Sequence, residues 1–378
     1  MNKPKKVQLN NSIIVKSVLA SLLLLGCNDS GPKSAPPPNI SERAACLATF
    51  NWAYQASGKV RSTAVVDERF VYFSDSDGNL YSVYKHSGEL NWQVSFKGSL
   101  DSKLVLTDDT LLVTSDAGQL IAVASKNGKL KWQAEIGAIL RPEYDYNISS
   151  AVVHDGLAYI GQENGSLVGI DLVSGEITWQ VDLLSPAHSQ PLISDGSICI
   201  SSMTELSCID IETKEIQWRQ PLDWPNSPAS DGDIIIVGSR WDYGIFAFDL
   251  KTGQQRWKYT IVDWAPSEPI IQEGITYIGT SDNYAFFAID NETGERLWRA
   301  ETIANVFTKA VIADDNVIFS SGYAYNSPGY GVVKAVNLQG ETTWSLPGCN
   351  FFSSPIVDAS SIYIGSDDGY FYSLNINN

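Results

Sequence analysis

Seven segments that end on tryptophan recur along the chain: SVYKHSGELNW (82–92), AVASKNGKLKW (122–132), GIDLVSGEITW (169–179), CIDIETKEIQW (208–218), AFDLKTGQQRW (247–257), AIDNETGERLW (288–298) and AVNLQGETTW (335–344). Their tryptophans (Trp92, Trp132, Trp179, Trp218, Trp257, Trp298 and Trp344) are 39 to 47 residues apart. A unit that size made of short strands cannot bury its own apolar face, so its copies must stack, and a period near 40 residues is that of a propeller blade. Two further strands precede each copy. In the third unit these are SSAVV and LAYIGQ, joined by His154-Asp155-Gly156, with Asn164-Gly165 leading into SLVGID. Alternating apolar residues and Asp-Gly, Asn-Gly or Ser-Gly turns specify antiparallel hairpins. Each unit therefore reads as four strands, a to d, with the tryptophan on d.

The ends of the repeat fix how the ring closes. An eighth a–b–c set, SSPIV, SIYIGS and YFYSLNINN, occupies 353–378 without a d strand, while TFNWAYQ (49–55) supplies Trp52 with no a–b–c strands before it. The expected fold is an all-β, eight-bladed β-propeller of four-stranded antiparallel blades over 46–378, closed by pairing of the N-terminal strand into the last blade. Cys46 precedes that strand and Cys349 precedes strand a of the same blade, so a bond between them would latch the ring across a loop of about 300 residues. Cys199 and Cys208 fall on neighbouring strands of one hairpin and could also pair. Free buried thiols are the alternative for all four.

Residues 1–26 read as a cleaved signal peptide, with lysines followed by a short apolar run, Val18 to Leu25, too short to span a bilayer. Gly26-Cys27 resembles a bacterial lipobox, which implies lipidation of Cys27, and Asn28 directly after it leans towards outer-membrane sorting. Residues 27–45, rich in proline and serine, read as an extended linker. The formal charge is −17, and the first 26 residues hold four lysines and no acid, so the remainder carries −21. Such a surface repels phosphate backbones and excludes a nucleic-acid partner.

The pattern Ala-x-Asp-x-x-Thr-Gly-x-x-x-Trp, complete at Ala288, Asp290, Thr293, Gly294 and Trp298 and again at Ala247, Asp249, Thr252, Gly253 and Trp257, resembles the tryptophan-docking motif of quinoprotein-type propellers. That resemblance covers nearly everything after the linker. It raises the possibility of a quinone-dependent dehydrogenase, whose hallmarks are an adjacent cysteine pair, a calcium-binding carboxylate cluster and in some members a Cys-x-x-Cys-His haem site. The chain has no adjacent cysteines and no such haem motif. Its three histidines, His86, His154 and His188, fall in different repeats without metal-ligand spacing, and DSDGN (75–79) fits a b–c turn better than a calcium loop, since its twelfth position is His86. The expectation is no enzyme, no cofactor and no metal.

Departures from the repeat lie on one rim. The a–b and c–d turns are short and uniform, whereas the b–c and d–a loops vary and hold the three tryptophans outside the docking set together with six tyrosines: Tyr144, Tyr146, Trp224, Trp241, Tyr243, Trp264, Tyr323, Tyr325 and Tyr330. They either cover the core or form a recognition face for protein or glycan. A second variable set opens the a strands (Thr63, Lys103, Ser150, Gln190, Ser227, Glu268, Lys309 and Ser354) and is expected to ring the central channel, as a solvated lining or a ligand site, with Glu268 and Lys309 as neighbours. Lean blades, the lipobox and the absence of assembled chemistry resemble the BamB family of outer-membrane assembly lipoproteins. The resemblance implies a membrane-attached, non-catalytic single propeller that works within the β-barrel assembly machinery. The family's Leu-x-Leu-Arg-Gly-like contact sequence has no counterpart in QVDLLSPAHSQ after Trp179 or RQPLDWPNSPA after Trp218, so its partner-binding residues are not carried over. The competing class is a periplasmic binding module for another protein or a glycan, and a quinoprotein-like enzyme stands third.

Overall fold

The computed structural model describes residues 50–137, 149–261, 263–324 and 330–376. Strands fill eight four-stranded antiparallel sheets, and no helix occurs among the described residues. Seven sheets are built from consecutive strands. The eighth is ordered Phe50–Gln55, Tyr370–Asn375, Ser361–Gly365, Ile356–Asp358, so the N-terminal strand completes the last blade. Its register runs from Phe50 opposite Leu374 to Gln55 opposite Tyr370. The fold is the eight-bladed all-β propeller that the repeat period implies.

Blade position dictates strand composition. Strands b and c lie between neighbouring sheets and are buried on both faces: Ile234–Ser239 is buried throughout, and so is Ala285–Asp290 up to its last residue. They read as continuous β-branched and aromatic runs for that reason. Strand d is outermost and alternates, as in Ile177–Asp182, where only Trp179 and Val181 are buried. Strand a is shorter than the sequence suggests, Val152–His154 rather than all of SSAVV. The residues ahead of it leave the ladder and bond across blades instead; Lys103 N–H, for example, donates to Ser150 Oγ at 3.0 Å.

The tryptophan motif has a single mechanical purpose. Each docking tryptophan faces a small residue on strand c, such as Gly169 opposite Trp179, Ala247 opposite Trp257 and Ala288 opposite Trp298. A β-bulge follows directly after that residue, and the indole is directed at the next blade. There its Nε1–H donates to a carbonyl at one repeated position of the c–d turn: Trp52 to Lys85, Trp92 to Ser125, Trp132 to Leu172, Trp179 to Ile211, Trp218 to Leu250, Trp257 to Asn291 and Trp298 to Leu338, at 2.7–3.1 Å. Trp344, opposite Ala335, occupies the equivalent place in the seventh blade. The turn glycine lies against the ring. At Gly294, φ is +72° and an added Cβ would sit 2.7 Å from Trp257 Cγ, so both conformation and space exclude other residues. Asp290 holds the same turn by accepting from Thr293 N–H at 2.8 Å and Thr293 Oγ1 at 2.9 Å, and the turn N–H groups lower its pKa. The fourth blade breaks the rule: Lys214 occupies the glycine place at φ +64°, with its ammonium 5.9 Å from the Trp179 ring centroid.

Candidate binding rim and central channel

All eight expected ring residues (Thr63, Lys103, Ser150, Gln190, Ser227, Glu268, Lys309 and Ser354) line one cavity on the propeller axis. Its polar groups are cross-linked rather than free. Backbone N–H groups donate to the serine of the following blade, Lys103 to Ser150, Gln190 to Ser227 and Lys309 to Ser354, each at 3.0 Å. Glu268 pairs with its neighbour Lys309 and also with Lys103. The second contact spans the axis, because blades two and six are opposite in a ring of eight. Lys103 further donates to Gln190 Oε1 at 3.0 Å. Burial, together with the nearby Lys309 charge, holds the Lys103 pKa well below the ordinary lysine value, and burial lowers Lys309 as well. One carboxylate thus holds two desolvated ammonium groups across the channel.

A second ring, one residue earlier in each repeat, is not among the sequence-based candidates: Ser62, Ser102, Ser149, Ser189, Asn226, Ser267, Thr308 and Ser353, all buried. Six of them bond to strand b exactly twelve residues on, as Ser62 does with Ser74, Ser189 with Ser201 and Asn226 with Gly238. The signal was present as a hydroxyl or amide preceding every ring position. It is invisible to hydrophobic periodicity, which registers only apolar places.

The rim aromatics divide into two groups. Trp241 and Tyr243 are 51% and 47% exposed, whereas Trp224 and Trp264 are mostly covered. What unites the three non-docking tryptophans is Arg240, whose guanidinium carbon lies 4.4 Å from the Trp264 ring centroid, 4.9 Å from Trp241 and 5.9 Å from Trp224. Two loops are pinned together to achieve this. Arg240 N–H donates to Trp224 O at 3.2 Å, Trp241 N–H donates to Asp223 O at 3.3 Å, and Asp223 N–H donates to Asp242 Oδ2 at 2.6 Å. Trp224 and Tyr243 take left-handed φ values of +57° and +49° at this junction, a conformation seldom adopted by bulky side chains outside functional loops. In the next blade, Asp263 accepts from Trp264 N–H at 2.6 Å and Asn283 N–H at 2.5 Å, and burial raises its pKa. From Trp264 the aromatic contacts continue inward to Phe307 and Phe352, with Arg61 lying 5.3 Å from the Phe352 centroid and paired bidentately with Asp367. A line of edge-to-face rings with an arginine at each end therefore connects the outer rim to the channel mouth.

Arg240 carried no signal of its own in the sequence, since a lone arginine in a b–c turn resembles any solvated charge. Tyr330 requires a correction. It is not in the loop but opens strand Tyr330–Asn337, pairing with Cys349, because strands c and d of the seventh blade extend to eight residues each. Tyr323 is half-buried, its backbone N–H donating to Asn350 Oδ1 at 2.9 Å. Cys199 and Cys208 face each other across strands with Cα atoms 4.1 Å apart and are joined as a disulfide. Cys27, Cys46, Tyr144, Tyr146 and Tyr325, with the side chains of Tyr330 and Cys349, lie outside the described residues. Among the described residues no three His, Cys, Asp or Glu side chains are grouped to hold a metal ion.

Blade count, bulged strand pairs and indole-to-turn bonds define a tryptophan-docked propeller of the quinoprotein repeat type. The chain belongs to the family described as outer membrane protein assembly factor BamB, whose model matches residues 44–259 and 243–345. Among curated relatives, the BamB of Burkholderia pseudomallei (strain K96243) is 24% identical over 116 residues, 28% of this chain and 30% of that protein. The BamB of Yersinia pestis is 29% identical over 112 residues, 27% of this chain and 28% of that protein. The matched stretches thus span less than a third of either relative. The crystal structure of BamB from Moraxella catarrhalis superposes with a TM-score of 0.57 at 16% identity, covering 86% of this chain and 87% of that one. At that identity it attests the shared fold.

Proposed function

We propose that this protein is a non-catalytic scaffold, held at the periplasmic face of the outer membrane through lipid on Cys27, that assists assembly of outer-membrane β-barrel proteins. The observation that carries this reading is the family match over most of the propeller, residues 44–345. The blades add physical support. Docking fixes the c–d turns and the channel cross-links fix the residues ahead of strand a, which leaves the irregular b–c and d–a loops as the surface offered to a partner. The test is affinity capture of the full-length, lipidated protein from detergent-solubilised outer membranes. Recovery of the barrel-assembly insertase is the expected outcome. Its reproducible absence, with an unrelated partner in its place, overturns the proposal, as does unchanged membrane fractionation of Cys27→Ser.

A further inference from the structure

We propose that the pocket framed by Arg240, Trp241, Tyr243, Asp263, Asp282 and Asn283 is a binding site for an uncharged oligosaccharide. The inference does not rest on the scaffold role. The pocket opens on the irregular rim between the b–c loops of blades five and six.

Three observations converge on that ligand class. First, Trp241 and Tyr243 keep about half their surface in water at the pocket edge. Flat rings held this way offer platforms for the C–H face of a pyranose. Second, donors stand beside them without protein acceptors. Among the described residues the Arg240 guanidinium contacts aromatic rings only and makes no hydrogen bond or ion pair, and the Asn283 side-chain amide donates to nothing, although its oxygen accepts from Arg299 at 3.3 Å. Third, acceptors stand opposite. Asp263 accepts backbone N–H groups at both oxygens, Asp282 on the adjoining turn accepts from Ser281 Oγ and Asn305 Nδ2 at Oδ1, and a carboxylate has about four acceptor sites to offer. Vicinal hydroxyls, each both donor and acceptor, match such an alternation of planar donors and carboxylates.

Charge removes the other ligand classes. A cationic group would meet the Arg240 guanidinium, which lines the pocket and lies 4.4 and 4.9 Å from two tryptophan centroids. An anionic group would meet Asp263 and Asp282 within the same pocket, on a protein of net charge −17. A neutral polyol meets neither objection. The backbone bonds that join Arg240 and Trp241 to the loop at Asp223 and Trp224, with Asp223 N–H on Asp242, hold the pocket edge before any ligand arrives and lower the ordering cost of binding.

Two chemical sources fit, a chain of N-acetylhexosamines and a chain of plain hexoses. The full-length protein would be titrated with the N-acetylglucosamine trimer and, separately, with cellotriose, up to about 10 mM, following tryptophan emission and saturation-transfer NMR. The expected result is saturable binding of at least one trimer with ring-proton contacts, and whichever trimer binds identifies the source. Trp241→Ala and Asn283→Ala should each weaken binding at least tenfold while leaving the melting temperature unchanged. Absence of binding by both trimers overturns the proposal, and so does binding that survives Trp241→Ala. Loss of insertase capture in the wild type, with sugar binding intact, would count against the scaffold role alone.

Discussion

The same eight blades build two unlike rims. On the c–d side every turn receives the preceding blade's indole, so its residues are fixed by a neighbour: a carbonyl to accept, in all but the fourth blade a glycine to make room, and in blades three to six an Asp to hold the bend. On the opposite side the b–c and d–a loops take no part in this docking, and there the chain places Arg240 among three tryptophans and leaves Trp241 half exposed. The difference teaches where a repeat protein can diversify. Positions held by the next copy are constrained by stability, and positions outside that contact are free for recognition.

Substituting tryptophans on the two sides should separate them most sharply. Trp257→Ala removes a buried indole and its bond to Asn291 O at 2.7 Å. It should cost about 3–5 kcal/mol in equilibrium urea unfolding, whereas Trp241→Ala should change stability by less than about 1 kcal/mol. Equal losses would abolish the distinction between docking and rim rings. The channel offers the next largest effect. Glu268→Gln leaves Lys103 and Lys309 desolvated without their shared carboxylate and should destabilise by about 3 kcal/mol at neutral pH. The sign of its pH dependence follows from the lysines. Their lowered folded-state pKa values mean that the unfolded chain binds more protons, so the variant should regain stability as pH rises towards the ordinary lysine value of 10.5. Thermal melts across that range would show it, and a loss that is flat with pH would refute the electrostatic account.

Turn glycines sharpen the comparison at smaller scale. Gly294→Ala meets both a φ of +72° and the Trp257 ring at 2.7 Å and should cost about 2–3 kcal/mol. Gly156→Ala, at φ +76° with nothing within 4 Å of the added Cβ, should cost only about 1 kcal/mol. Lys214→Gly, at φ +64° in the one docking turn that lacks glycine, should stabilise by about 0.5–1 kcal/mol. Denaturation midpoints for the three variants would rank them, and a cost at Gly156 equal to that at Gly294 would show that the indole contact adds nothing.

Blade number, closure through Trp52 and the eight ring positions were legible in the sequence, because each depends on a residue type recurring at a fixed period. Strand a was overread since its first residues are apolar or small yet bond across blades, a distinction period cannot make. The rim was legible only in part. Its aromatics stand out by count, but Arg240 gains meaning from contacts between the loops at 222–228 and 240–243 and the loop at 261–266, which no local pattern encodes. Tyr330 was misplaced because strand length in the seventh blade is set by pairing with 342–349, not by its own turn signals.

Closure by Phe50–Gln55 also orders the folding of the molecule in time. That strand is made first among the described elements, yet its only ladder partner, Tyr370–Asn375, is made last. Seven blades can form as their own hairpins emerge, each from contacts within some forty residues. The eighth must wait until some three hundred residues have been delivered, and its pairing carries the largest loop-closure entropy in the chain. Until then the ring is open and the edge of the waiting strand is unpaired, although its Trp52 indole already has a docking carbonyl at Lys85 in the first blade. The final join is therefore the pairing with the longest loop to close, and it leaves one sheet edge open until it is made.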